Sequence, residues 1–309
     1  MNGSIHHGKV LKAIRGHYWV ETPEGLYHCY ARESVVRKAG GINPIVVGDD
    51  VTLEVTDEAK KEGVITELHP RRTKLSRRVS TGTKELEQVV AANVDHLVIV
   101  SSVADPPFRP GLIDRYLVAA AKGALHPIIC VNKVDLEGVE SLRDILDMYR
   151  DLGYPVVLTS AKTGQGIEEL RDRLRDKTSV FAGHSGVGKS SLLRVLVPGI
   201  HVKIGEVNPR TGRGRHTTTA AELVRLPDGG YVIDTPGIRQ FSLWDLSEED
   251  VRKFFVEIAR YGNGCRFADC SHVVEPGCSV RAALEDGRIH PRRYESFLRL
   301  LQEARGEIE

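Results

Sequence analysis

A glycine-rich segment in the second half of the chain has the residue types and spacing to bind phosphate groups. Its glycines let backbone N–H groups curl around phosphates, and a following helix N-terminus adds partial positive charge. The pattern predicts that Lys189 reaches the outer phosphates and that the Ser190 hydroxyl binds Mg²⁺. The alternative is a chance glycine-rich turn. The P-loop spacing is met in full by Gly183, His184, Ser185, Gly186, Val187, Gly188, Lys189 and Ser190, with Ser191 next.

The predicted elements around this segment favour the P-loop interpretation. A strand is predicted at Thr178–Ala182 and a helix at Ser190–Val197, so the glycine-rich turn lies between a strand and a helix. A P-loop binds ATP and GTP alike, and the choice between them must come from other residues.

Two motifs upstream of the P-loop have the chemistry to read a guanine base. A carboxylate such as Asp135 can accept hydrogen bonds from the N1–H and 2-amino groups of guanine, which adenine lacks. Adenine would leave that acceptor unpaired, so it is rejected. The Lys133 stem can lie over the base, and the second motif supplies a backbone N–H for the guanine oxygen. Each motif ends a predicted strand, and together they comprise Asn132, Lys133, Val134, Asp135, Ser160, Ala161 and Lys162. With the P-loop they predict GTP and GDP as ligands.

Two downstream segments are expected to complete the Mg²⁺ and γ-phosphate contacts. Asp234, at the end of a predicted strand, would hold the Mg²⁺ shell through water, and the Gly237 N–H would meet the γ-phosphate. A switch segment is expected at Gly214–Thr219. One of its threonines should bind Mg²⁺, and the sequence leaves open which: Thr217, Thr218 or Thr219.

Catalysis by the chain alone is expected to be slow. Many GTPases place a glutamine directly after the Asp-x-x-Gly motif to orient the attacking water, and this sequence has Ile238 there. We therefore expect a partner to complete the site, with His216 holding the water and Arg215 or Arg213 stabilising charge. The alternative is that these three residues bind RNA phosphates.

The order of the motifs is unusual. Most GTPases have the P-loop first and the guanine-reading motifs last, whereas here the guanine-reading motifs precede the P-loop. Because the ends of a compact domain usually lie close together, joining them and cutting elsewhere preserves the site. The sequence therefore predicts a circularly permuted GTPase domain whose switch region leads directly into the C-terminal part of the chain.

The C-terminal part carries a candidate metal site. Four soft ligands with this spacing predict a closed, structural Zn²⁺ site that would supply folding energy. The alternative is reduced cysteines packed in a core. The ligands are Cys265, Cys270, His272 and Cys278.

Composition and patterning set the frame for these motifs. The chain has 309 residues and a net charge of +1, and no apolar run or leader pattern suggests a membrane span or secretion. We expect a cytoplasmic protein with no membrane association. Three domains are predicted: an OB-type β-barrel (an SH3-like barrel fits almost as well), a GTPase domain with a mainly parallel sheet and helices on both faces, and a zinc-binding helical domain. Their predicted ranges are 1–72, 73–243 and 244–309.

The chain resembles the ribosome-small-subunit-dependent GTPase A (RsgA, YjeQ or EngC) family over nearly its whole length. The matching segments are Val89–Asp95, Asp114–Leu117, Gly183–Ser191, Gly214–Thr219 and Asp234–Ile238, and the zinc ligands match as well. The resemblance implies a ribosome-activated GTPase that binds the small ribosomal subunit and its rRNA and assists late maturation, with GTP or GDP, Mg²⁺ and one Zn²⁺. A monomer that does not bind DNA is expected. The alternatives are an RNA-binding module regulated by GTP and GDP, and a signalling GTPase, which the barrel and zinc domain disfavour.

Overall fold

The structure is a computed structural model that describes residues 4–81, 84–199, 221–234 and 246–308. It divides into two compact units that alternate along the chain. The first comprises Met1–Leu97, Ile167–Phe181 and Lys189–Ser242, and the second comprises Val98–Gly166, Ala182–Gly188 and Leu243–Glu309. The division into domains at 72/73 and 243/244 stays a prediction. Within the described residues no helix is long and apolar enough to span a bilayer.

The regular elements of the described residues follow one another in this order along the chain: β1 (Ile5–Ile14), β2 (His17–Thr22), β3 (Gly25–Ala31), α1 (Glu33–Ala39), β4 (Asp50–Asp57), β5 (Glu62–Leu68), β6 (Lys74–Thr81), β7 (Lys84–Ala92), β8 (His96–Ser102), α2 (Pro110–Lys122), β9 (His126–Asn132), a 3₁₀ turn (Val139–Leu142), α3 (Arg143–Asp151), β10 (Val156–Leu158), α4 (Ile167–Leu174), β11 (Thr178–Ala182), α5 (Lys189–Leu196), β12 (Glu222–Arg225), β13 (Tyr231–Asp234), α6 (Glu248–Phe254), α7 (Val256–Gly262), α8 (Ser279–Glu285) and α9 (Pro291–Ala304).

The predicted N-terminal barrel is confirmed. Its strands are ordered β1-β2-β3-β5-β4, and antiparallel pairing of β1 with β4 closes the sheet. Alternation of apolar and polar residues places one face of every strand inward. The core is made of side chains that include Val10, Val20, Tyr27, Leu53 and Ile65.

The first unit continues beyond the barrel in two directions. The antiparallel pair β6–β7 is joined to the barrel through Asn93, whose Nδ2 donates to the Gly48 carbonyl oxygen and to Asp50 Oδ2, each at 3.0 Å. In the other direction β12 pairs with β1 and with β13, and β13 is parallel to β11. The barrel sheet is therefore continuous with strands that carry GTPase motifs.

The second unit contains the sheet β10-β9-β8 and the C-terminal helices. β10 and β9 are parallel, so both end at the same edge, where the two guanine-reading motifs begin. Helices α6 to α9 form an apolar core around Phe255, Ile258, Phe297 and Leu301, which Val118 of α2 joins.

The helix predicted to run from Ser247 to Gly262 is wrong in one respect, because it is broken at Phe255. The capping box is present: Ser247 Oγ accepts from the Asp250 N–H at 3.1 Å. Phe255 then adopts an extended backbone (φ −82°, ψ 97°) and separates α6 from α7. Its ring is fully buried, 5.8 Å from the Phe297 ring in an edge-on arrangement. Tertiary packing has overridden the helical periodicity of the sequence.

A buried ionic network joins α9 to α7 and α2. The Arg293 side chain is 1% exposed. It donates from Nε and Nη2 to the two Glu257 carboxylate oxygens (2.6 and 2.9 Å) and from Nη1 to Asp114 Oδ1 (2.5 Å). The Tyr149 hydroxyl also donates to Asp114, at 2.7 Å. Buried carboxylates need such partners, so the network fixes how the C-terminal helices pack on α2.

Replacing Arg293 with methionine would leave Asp114 and Glu257 buried without their cation. We expect Arg293→Met to lower the free energy of unfolding by about 3–5 kcal/mol, measured by urea denaturation. The control is Arg299→Met on the same helix, because Arg299 is 70% exposed and lies 3.4 Å from Glu303. That change should cost less than about 1 kcal/mol. Equal effects of the two changes would contradict a structural role for the buried network.

Candidate functional site

The side-chain amide of Asn132 connects three of the predicted motifs. Asn132 is the last residue of β9 and is buried. Its Nδ2 donates to the Val187 carbonyl oxygen of the P-loop at 2.9 Å, and its Oδ1 accepts from the Ala161 N–H at 3.1 Å and from the Thr159 hydroxyl at 3.3 Å. One planar group thus holds the P-loop against both guanine-reading loops.

Glycine is required where the P-loop approaches its neighbours. Gly188 has a φ of +96°, and a Cβ there would lie 2.2 Å from Asn132 Nδ2. Gly183 has a φ of +144°, and a Cβ there would lie 2.0 Å from the Val100 carbonyl oxygen. Any other residue would be strained and would also displace these neighbours. The loop glycines therefore serve the close packing of the site as well as phosphate approach.

Asp135 is arranged as a hydrogen-bond acceptor. The Ser160 hydroxyl donates to Asp135 Oδ1 at 2.6 Å and holds the pKa of that carboxyl below its usual range. Lys162 Nζ lies 3.8 Å from Oδ2. The carboxyl is therefore ionised at neutral pH and can accept from the N1–H and 2-amino groups of guanine.

Lys133 occupies a left-handed turn between Asn132 and Asp135. Its φ is +63°, and its Nζ donates to the Asp105 carbonyl oxygen. The next residue, Val134, donates its N–H to the Thr159 carbonyl oxygen at 3.1 Å, so the turn is tied to the loop that carries Ser160. The structure thus brings both guanine-reading motifs together, as the sequence predicts.

The remaining predicted nucleotide residues lie along the chain as follows. The exposed part of the P-loop is His184, Ser185 and Gly186, and the His184 ring lies 2.8 Å (Nδ1) from the Ser185 carbonyl oxygen. Lys189, Ser190 and Ser191 form the first turn of α5, directly after Gly188. Asp234 is the last residue of β13. The residues that fall outside the described part of the chain are His216, Thr217, Thr218, Thr219 and Gly237.

The sequence did not single out Tyr116 as a residue of the site. It lies on α2, and burial raises the pKa of its phenol, which hydrogen-bonds the Gly183 backbone. Tyr116 therefore positions the start of the P-loop. A signal was present, since Tyr116 belongs to the Asp114–Leu117 segment, but nothing in that segment indicates which loop it would meet.

The four predicted zinc ligands lie together in the second unit. Their ligand atoms all lie within 4.8 Å of one another. The Cys265 and Cys278 sulfurs are 3.9 Å apart, and His272 Nδ1 lies 3.5 and 3.6 Å from them. Sulfur ligands about 2.3 Å from a tetrahedral Zn²⁺ would be roughly 3.8 Å apart, so this arrangement fits a structural zinc site.

The protonation chemistry of the cluster also fits a metal. Burial raises the pKa of the Cys270 thiol to about 12, so a thiolate there requires a cation such as Zn²⁺. Burial lowers the pKa of His272, which favours the neutral imidazole that ligates metals. The loop between these ligands is held by Glu275, whose carboxylate accepts from the Ser271 N–H at 2.9 Å and the Val273 N–H at 3.1 Å.

Comparison with known proteins decides the family. The RsgA GTPase family model matches residues 68–244, which is more than half of the chain, and the RsgA N-terminal domain model matches residues 7–65. The chain belongs to the RsgA family.

Relatives and solved structures of similar length agree with this assignment. The chain is 46% identical over 300 residues to a protein of Chlorobaculum tepidum named small ribosomal subunit biogenesis GTPase RsgA, covering 95% of this chain and 96% of that one. A protein of the same name from Shewanella oneidensis is 39% identical, covering 97% and 84%. Among solved structures, YjeQ from Thermotoga maritima has a TM-score of 0.79 at 36% identity, covering 98% and 99%. YloQ, described as a circularly permuted GTPase, has a TM-score of 0.76 at 32% identity, covering 99% and 97%.

Membership of the RsgA family confirms the predicted class of enzyme. The chain is a GTP-hydrolysing enzyme of the circularly permuted type, with GTP and GDP as nucleotides and Mg²⁺ as cofactor. The fold class is confirmed too, by the closed barrel, the permuted GTPase relatives and the cluster that fits zinc.

The geometry around Asp135 makes the base preference testable. Asp135→Asn should weaken GTP binding roughly 10- to 150-fold, because a charged acceptor for the guanine 2-amino group is lost. Xanthosine triphosphate, which has an oxygen in place of that amino group, should gain affinity. Asp144→Asn, an exposed change on α3, is the control and should alter neither affinity. Isothermal titration calorimetry measures both, and an unchanged preference for GTP would remove Asp135 from the base site.

Proposed function

We propose that this chain is a ribosome-activated GTPase that binds the small ribosomal subunit and assists its late maturation, hydrolysing GTP to GDP and phosphate. The observation that carries the proposal is similarity over 95% of the chain, barrel included, to a relative named for small-subunit biogenesis. A GTPase domain alone would not account for similarity in the barrel. In this proposal the chain acts as a cytoplasmic monomer, with rRNA as its partner and without membrane or DNA binding.

The nucleotide residues have distinct roles in this proposal. Asp135 reads the guanine, with the Lys133 stem over the base and the Ala161 N–H on the guanine oxygen. The P-loop backbone holds the phosphates and Lys189 binds the outer ones. Ser190 would ligate Mg²⁺, Asp234 would hold its water shell, and one of Thr217–Thr219 would complete it. Bound Mg²⁺ supplies neutralisation of charge on the phosphates.

The catalytic part of the proposal concerns residues outside the described part of the chain. Ile238 follows the Asp234–Gly237 motif and has no group that could orient water. The small subunit is proposed to complete the site by ordering His216 against the attacking water, with Arg213 or Arg215 stabilising charge. Positioning and charge stabilisation are the main contributions that a protein makes to phosphoryl transfer.

A second candidate function is an RNA-binding module whose affinity GTP and GDP regulate, with little catalytic role. The joined barrel and GTPase strands of the first unit favour keeping it in view, because they offer a route between nucleotide and barrel. This candidate predicts different RNA affinities with GTP and GDP but no stimulation of turnover.

Turnover measurements separate the two functions. The isolated chain should hydrolyse GTP well below the roughly 1–10³ s⁻¹ of typical enzymes, because it lacks a water-orienting amide after Gly237. Purified small subunits should raise turnover many-fold, and large subunits or bulk RNA should do much less. His216→Ala should remove most of the stimulation with little change in GTP affinity, because its interaction forms in the transition state.

The contrasting variant is Lys189→Ala, which should damage GTP binding and turnover together. Full stimulation of His216→Ala would show that this histidine is not the catalytic group. Absence of any effect of small subunits on the unaltered chain would overturn the ribosomal function itself.

A further inference from the structure

Four aromatic rings lie together on the outer face of the barrel. They come from alternate positions of two adjacent strands, His17 and Trp19 on β2 and His28 and Tyr30 on β3. The inward positions of the same strands, such as Tyr18 and Tyr27, already fill the core. All four outer residues are at least partly accessible, and Tyr30 is 52% exposed. We call these four residues the aromatic platform.

Strand register holds the platform together. Trp19 lies directly across from His28, and their ring centroids are 5.2 Å apart. The next outward pair is His17 and Tyr30, with centroids 4.9 Å apart. The two imidazole rings are nearly parallel, at 5.2 Å and 8°, and a 3.0 Å hydrogen bond joins His17 Nδ1 and His28 Nε2. The rings therefore form a preorganised surface, which reduces the entropy cost of binding.

Positive charge lines one edge of the platform. Lys12 on β1 places its Nζ 5.6 Å from the centre of the Trp19 ring while also pairing with Glu222. Arg15 lies in the β1–β2 turn, two residues before His17, and is exposed. Within the described residues Arg15 forms no ion pair. Its backbone adopts a φ of +48°, a conformation that usually favours asparagine or glycine in such turns.

Stacked rings beside free positive charge match the chemistry of single-stranded nucleic acid. Every base offers a π-face to an aromatic side chain, and every linkage offers a phosphate to a cation. Strands 2 and 3 are also the face that OB-type barrels use for oligonucleotides. We propose that the aromatic platform stacks unpaired RNA bases, with Arg15 and Lys12 holding the adjacent phosphates. This inference rests on the proposed function, because rRNA is then the source of the bases.

Short RNA tests the platform without a ribosome. In a Trp244→Phe background, which leaves Trp19 as the single tryptophan, an unstructured decauridylate should quench Trp19 fluorescence saturably. Trp19→Leu and Tyr30→Leu, studied by anisotropy of a labelled decauridylate, should each weaken binding roughly 5- to 150-fold, because leucine lacks a π-face. Trp19→Phe should retain most of the affinity.

The matched control is Leu26→Ala, which alters an exposed apolar residue on the same face of β3 but outside the platform. It should leave the RNA affinity unchanged, and all variants should keep their melting temperature and GTP affinity. A decauridylate affinity of Trp19→Leu equal to that of the unaltered chain would overturn the proposal. So would a loss of small-subunit binding without any loss of RNA affinity, which would indicate a protein partner.

The same variants separate this inference from the proposed function. If small subunits stimulate the unaltered chain and Trp19→Leu equally, with equal RNA affinities, the ribosomal function stands and the platform fails. If RNA affinity depends on Trp19 while small subunits stimulate nothing, the platform stands and the ribosomal function fails.

Discussion

One buried amide, the side chain of Asn132, sets the geometry on which the nucleotide site depends. Because its Nδ2 binds the P-loop at Val187 and its Oδ1 binds the loop at Ala161, neither loop can move without breaking a buried hydrogen bond. Gly188 allows this approach, since a side chain there would meet the amide. The links explain why the permuted order preserves the site: the motifs are held together in space by side-chain hydrogen bonds, and their order along the chain is secondary.

The C-terminal helices depend on a different constraint. Their apolar core is small, and two polar devices accompany it: the cluster that fits zinc and the Arg293 network. The network reaches Asp114, and two residues further along the same helix Tyr116 meets the P-loop at Gly183. One helix, α2, is therefore anchored both to the zinc-binding region and to the start of the phosphate loop. Any rearrangement of the P-loop is placed two residues from a rigid, buried ion pair.

Much of the site could be predicted from the sequence because its motifs are local. The P-loop, both guanine-reading motifs and the zinc ligands each follow from spacing within a few residues, and α4 and β11 agree with their predicted limits. What the sequence could not predict depends on distant partners. Phe255 breaks a helix because it packs against Phe297, the β6–β7 pair is fixed by Asn93, and Tyr116 meets the P-loop. The outer ring platform likewise required the strand register to become visible.

The most direct test of the account is the nucleotide affinity of Asn132→Asp. The carboxylate can still accept from the Ala161 N–H but cannot donate to the Val187 carbonyl oxygen, and so leaves a buried acceptor facing a charge. Calorimetry should show GTP and GMP binding both weakened, on the order of 10- to 150-fold, because phosphate and base loops lose their common anchor. Unchanged affinity for both nucleotides, at an unchanged melting temperature, would contradict the claim that this amide holds the site together.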